Sequence, residues 1–118
     1  MRTPKILIID DEVDFVKLLR FRLEANGCFV ISAYNGEAGL EEAKRNKPDL
    51  ILLDILLPKL DGYSVLKKIK DDTSISNIPI IMLTCMQKKE GIEDISGYVI
   101  KPYNKEDLLS AIKDSICK

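Results

Sequence analysis

Histidine is absent from all 118 residues. That excludes Ser–His and Cys–His nucleophilic sites and any histidine-ligated metal. Chemistry on this chain must be carried by carboxylates, hydroxyls, thiols and lysines. Cysteine is scarce: Cys28, Cys85 and Cys117 make an odd number and show no metal-like spacing. They read as reduced packing residues of a cytoplasmic protein. No apolar run is long enough to cross a membrane, and the opening MRTPKILIIDDE turns acidic too soon for a secretory signal. An excess of either charge is also missing. Eighteen bases against nineteen acids give a net charge of −1, so bulk charge offers no hold on nucleic acid or acidic substrates. Repeats, linkers and low-complexity stretches are lacking too, and the chain reads as one domain over 1–118.

What is present alternates. Short runs rich in Ile, Val and Leu at Lys5–Asp10, Cys28–Ala33, Leu50–Asp54, Ile78–Thr84 and Gly97–Lys101 read as strands, and their unbroken apolar character predicts burial on both faces. Between them lie segments with helical spacing. In 12–26, Val13, Val16, Leu19 and Leu23, with Phe15 and Leu18, form an apolar stripe that Asn26-Gly27 terminates. Segment 36–46 follows Asn35, a suitable N-cap. Segment 61–70 turns Val65, Leu66 and Ile69 inward, with Asp61-Gly62 as its turn and start. Segment 104–116 is capped by Asn104 and buries Leu108, Leu109, Ile112 and Ile116. Strands alternating with helices predict an α/β fold, a doubly wound parallel sheet of five strands with helices on both faces.

In such a sheet, ligands gather beyond the carboxyl ends of the strands. Strand one runs into Asp10-Asp11, strand three into Asp54, strand four into Thr84 and strand five into Lys101. Asp54 stands inside LILLDILLP, and a carboxylate in so apolar a run is expensive without compensation. Clustered carboxylates repel unless a cation joins them. Oxygen-only ligands in a small site suit Mg²⁺. Mg²⁺, Lys101 and the Thr84 hydroxyl together would hold a phosphoryl group, and a carboxylate is the candidate acceptor.

The marks IIDDE at 8–12, LLDILLP at 52–58, LT at 83–84 and GYVIKP at 97–102 occur in order at strand ends. In these the chain resembles, from end to end, the response-regulator receiver domains of two-component signalling. The resemblance implies a flavodoxin-like strand order of 2-1-3-4-5. It implies that Asp54 accepts a phosphoryl group from a histidine kinase or phosphotransfer protein. Asp11 would hold Mg²⁺ directly, Asp10 through water, and the backbone carbonyl of Leu56 would add a ligand. Lys101 would contact the phosphate, Thr84 would move to bond it, and Tyr98 would turn inward as Thr84 moves. Pro102 would fix the bond after the lysine. The added charge at Asp54 would bias a two-state surface toward an output domain or target protein.

Two features depart from that family. Only residues 85–96 connect strands four and five, with Gly91 among them, and the small-residue turn usual before strand five is missing. A shortened or irregular fourth helix, with an altered partner face, is expected. Leu56 and Met86, two residues after Asp54 and Thr84, are apolar and imply slow loss of phosphate. A pseudo-receiver that binds partners without phosphorylation is the alternative; the intact acid–Thr–Lys set argues against it. A flavin-binding protein of this fold would need a hydroxyl-rich loop where DDE stands. An aspartate-nucleophile phosphatase would want an Asp where Leu56 stands. The residues that follow strand five supply one helix and no output domain, which fits either a receiver that docks on a partner or a piece of a longer protein.

Overall fold

The computed structural model describes residues 3–54, 61–84 and 97–100. Five parallel strands, β1 (Lys5–Ile9), β2 (Phe29–Ala33), β3 (Leu50–Asp54), β4 (Ile80–Thr84) and β5 (Gly97–Ile100), form one sheet in the order β2-β1-β3-β4-β5. This is the order expected. Helices α1 (Val13–Ala25), α2 (Gly36–Asn46) and α3 (Gly62–Asp71) make the first crossovers. The expected fourth and fifth helices, at 85–96 and 104–116, lie outside the described residues.

Alternation along the strands divides the core in two. Ile6, Ile8, Leu50, Leu52, Ile81 and Leu83 pack with Val16, Leu19 and Leu23 of α1 on one face. Leu7, Ile9, Ile51, Leu53, Ile80 and Met82 pack with Ala43 of α2 and Val65, Leu66 and Ile69 of α3 on the other. Both faces of the central strands are covered, which accounts for their lack of polar alternation. The half-buried Cys28 packs against the α1 face as a core residue.

The α1 stripe is narrower than the sequence suggests. Val16, Leu19 and Leu23 are buried and Phe15 packs at the edge, but Val13 is 44% and Leu18 54% exposed. Leu18 is turned about 100° from Leu19 around the helix axis, which carries it off the sheet. Val13 opens the first turn, before the helix settles on the sheet. Strand four is also shorter than expected, because Ile78 donates its N–H to the Ile75 carbonyl (3.1 Å) and closes a turn.

Helix ends follow local chemistry. Gly27, at φ +86°, donates to Glu24 O, and Cys28 donates to Leu23 O, both at 3.1 Å. These bonds satisfy the last carbonyls of α1 in a Schellman arrangement that a left-handed glycine permits. Asn35 Oδ1 accepts from Ala38 N at 2.8 Å and Asp61 Oδ1 from Ser64 N at 2.9 Å, so Asn35 is the N-cap expected and Asp61, expected as a turn and helix start, caps α3. After α3, Asp72 Oδ1 accepts from the Ser74 N–H (2.9 Å) and hydroxyl (2.7 Å). These bonds, with Lys44 and Lys47 nearby, hold the Asp72 carboxyl below its ordinary 3.8.

Gly39 sets the seat of α2. A Cβ there would lie 2.5 Å from Ile9 Cδ1, 2.7 Å from Cγ1 and 2.9 Å from Cγ2. Ile9 is fully buried next to Asp10, and two of those three atoms are bonded directly to its Cβ, so they move only by turning the stiff χ1 of a packed β-branched side chain. Gly39→Ala should therefore destabilise by about 1–2 kcal/mol through overpacking, despite the roughly 1 kcal/mol gained in helix propensity. Ile9→Val removes the nearest atom, so the double variant should lose less than the sum of the two single losses in urea unfolding. A Gly39→Ala protein more stable than wild type would disprove this packing.

The depressed Asp72 pKa fixes a sign. Its contribution to stability is present above the ordinary carboxyl range and is lost as pH falls through the lower folded-state value. A carboxyl-detected NMR titration should place Asp72 below 3.8, and Ser74→Ala should raise the midpoint. An unmoved midpoint would remove Ser74 as the main cause.

Candidate functional site

The carboxyl edge of the sheet carries the two buried charged residues found among the described ones: Asp10, fully buried, and Asp54, 4% exposed. Register brings them together. β1 and β3 pair Ile9 with Leu53, so the next residue on each strand is an aspartate. Asp54 in turn pairs with Leu83, which places Thr84 one residue further along β4 at the same edge.

The turn from β1 into α1 fixes Asp10. Its N–H donates to Ala33 O at 3.0 Å, and its Oδ1 accepts from the Glu12 N–H at 2.9 Å. Glu12 is the N-cap of α1. Its exposed side chain comes back over the edge, so that carboxylate oxygens of Asp10, Glu12 and Asp54 all lie within 4.8 Å of one another.

The expected residues are distributed as follows. Asp10 and Asp54 come together, with Glu12 as the third acid. Asp11 is exposed and stands outside that group. The backbone of Thr84 ends β4, and Tyr98 lies in β5 opposite Met82. Leu56, Met86, Lys101 and Pro102 lie outside the described residues; Lys101 directly follows the last residue of β5.

Glu12 belongs to the DDE run, but reading the strand ends takes in only Asp10, Asp11, Asp54, Thr84 and Lys101. The available signal was its place at the start of a helix that leaves the carboxyl edge. An N-cap residue there sits over the site.

Three carboxylates this close repel one another, most strongly the buried pair Asp10 and Asp54, because solvent screens the exposed Glu12. Cations and hydrogen-bond donors relieve that repulsion. The donor set is all oxygen, anionic and partly buried, which fits a hard divalent cation such as Mg²⁺. A cation seated here would also neutralise an incoming anion.

Residues 6–113 match the family model of the response regulator receiver domain, and the chain belongs to that family. It is 40% identical over 116 residues to the alkaline phosphatase synthesis transcriptional regulatory protein PhoP of Bacillus subtilis, covering 92% of this chain and 47% of that protein. A two-component response regulator from Clostridium difficile superposes with a TM-score of 0.88 at 34% identity, covering 99% of this chain and 98% of that one. The chemotaxis response regulator CheY4 of Vibrio cholerae gives 0.88 at 25% identity, covering 97% and 99%. The chain spans about half the length of the curated relatives it matches (44–48%).

The cluster makes a stability prediction. Mg²⁺ at a hundred times its dissociation constant should stabilise the wild-type fold by about 2.7 kcal/mol. Asp54→Asn should lose most of that gain in thermal unfolding. An equal Mg²⁺ gain in both proteins would show that the ion does not bind at this edge.

Proposed function

We propose that this receiver domain is a phosphoacceptor switch in a two-component system or phosphorelay, and that Asp54 is the residue phosphorylated. The observation that carries the reading is a nearly buried Asp54 carboxylate at the end of a central strand, with oxygens of Asp10 and Glu12 within 4.8 Å of its own. A buried carboxylate held among other acids, in a family of receivers, supports a chemical role for Asp54.

In the proposed reaction, an Asp54 oxygen attacks the phosphorus of a phosphohistidine on a histidine kinase or phosphotransfer protein. The P–N bond breaks, imidazole leaves with the bonding pair, and an aspartyl phosphate remains. Asp10 and Asp11 with Asp54 and the Leu56 carbonyl would hold Mg²⁺, Asp11 directly and Asp10 through water. The ion would neutralise charge on the phosphoryl oxygens. Lys101 would pair with the phosphoryl group, and the Thr84 hydroxyl would move to donate to it. Tyr98 would follow Thr84 inward and change the surface around β4 and β5. Catalysis here is positioning and charge stabilisation, so the domain assists its own modification without being a metabolic enzyme.

A cytoplasmic setting is the one this family supports; no helix among the described residues is long and apolar enough to cross a membrane. Relatives named as transcriptional regulators are about twice this length, so in a protein of that kind the switched surface would act on a second unit.

Intact mass after incubation with acetyl phosphate tests the reading. Wild type with Mg²⁺ should gain one phosphoryl group. Wild type without Mg²⁺ and Asp54→Ala with it should gain none. With Leu56 and Met86 apolar, the phosphoform should decay slowly once donor is removed. No gain under any condition would overturn the proposal and leave a receiver that binds partners without phosphorylation.

A further inference from the structure

We infer that Glu12 is a specificity-determining residue of the cation site, and that its carboxylate shifts the preference from Mg²⁺ toward larger divalent ions such as Ca²⁺ and Mn²⁺. The inference rests on the reading above, that the acids of this edge hold a divalent cation.

Glu12 occupies the N-cap of α1 in an extended conformation (φ −82°, ψ 93°), the position where a short side chain normally accepts a hydrogen bond from the first turn. Its side chain makes no such cap bond. Glutamate is one methylene longer than the preferred aspartate, and here that length carries the carboxylate back to within 4.8 Å of oxygens on Asp10 and Asp54. Its own N–H binds Asp10 Oδ1 at 2.9 Å, so one residue both orients Asp10 and adds a carboxylate beside it.

Burial gives the consequence. Asp10 and Asp54 are buried, whereas Glu12 is exposed, so its carboxylate joins the group from the solvent side. That is the side on which a cation keeps its waters. Mg²⁺ dehydrates reluctantly, demands near-octahedral geometry and is usually held by one or two carboxylates. Ca²⁺ takes six to eight oxygens in flexible geometry, and Mn²⁺ also suits carboxylate ligands. With Asp11 and Asp54 as the direct carboxylate ligands in the reading above, a third carboxylate, from Glu12, that replaces water favours these ions more than Mg²⁺.

Calorimetric titration of the whole chain with MgCl₂, MnCl₂ and CaCl₂ at fixed ionic strength tests this in wild type, Glu12→Gln, Asp14→Asn and Asp54→Asn. Circular dichroism checks that each variant is folded. Glu12→Gln should weaken Ca²⁺ and Mn²⁺ binding about tenfold, and Mg²⁺ binding only about twofold. Asp14→Asn removes a nearby acid in the first turn of α1 and should change all three affinities by one common factor, as long-range charge does. Equal weakening of all three ions by Glu12→Gln, or no weakening, would overturn the inference. If Asp54→Asn abolishes binding while Glu12→Gln leaves the ion preference unchanged, this inference alone falls. If wild type binds none of the ions, the proposed cation site falls with it.

Discussion

The burial of two carboxylates on adjacent strands is the constraint on which the rest of the structure turns. Parallel pairing of β1 with β3 puts Asp10 and Asp54 at the same level of the same edge. Moving two charged groups out of water is costly, and placing them side by side adds repulsion. Such an arrangement persists only where the surroundings over-determine it. Here the strands that carry the acids are fully buried on both faces, so a register slip of one residue would exchange the two halves of the core. The core fixes the strands, and the strands hold the acids where those acids would not gather by themselves.

The same rigidity reaches the site from the helix side. Gly39 lets α2 lie against Ile9, the residue that precedes Asp10. On the opposite face, Val16, Leu19 and Leu23 press α1 onto the sheet and fix the direction in which its first turn enters the carboxyl edge. The helix packs on the sheet through these residues, and its first turn opens beside the acids.

Much of this was legible in the residues. Unbroken apolar runs such as ILII and LILLD can be satisfied only in a doubly covered sheet, and acids that end such runs must lie at its carboxyl edge. Asn35 and Asp61 announced helix starts because short polar side chains cap well. What was not legible depends on geometry that spacing does not encode. Val13 and Leu18 look like members of the buried stripe, but their exposure depends on where the helix axis settles over a twisted sheet. Ile78 looks like strand, yet a turn around Asp72 and Ile75 takes its N–H first. Glu12 differs again. Its sequence position marks a helix start, and only the direction of the turn between β1 and α1 reveals that its carboxylate returns to the edge.

That turn also bears on how so many acids coexist. The N-terminus of α1 opens beside the cluster, and a helix N-terminus carries a partial positive charge from its aligned peptide dipoles. The Glu12 N–H on Asp10 Oδ1 is a direct instance, a backbone donor at the helix entrance aimed at a buried carboxylate. Asp14, in the first turn, is favoured by the same field. A helix dipole offsets about 1 kcal/mol per charge where the group is partly exposed, less than the repulsion among three close carboxylates. The helix start therefore moderates the repulsion among these acids. An edge lined by carboxylates in this way suits a positively charged group better than an anion.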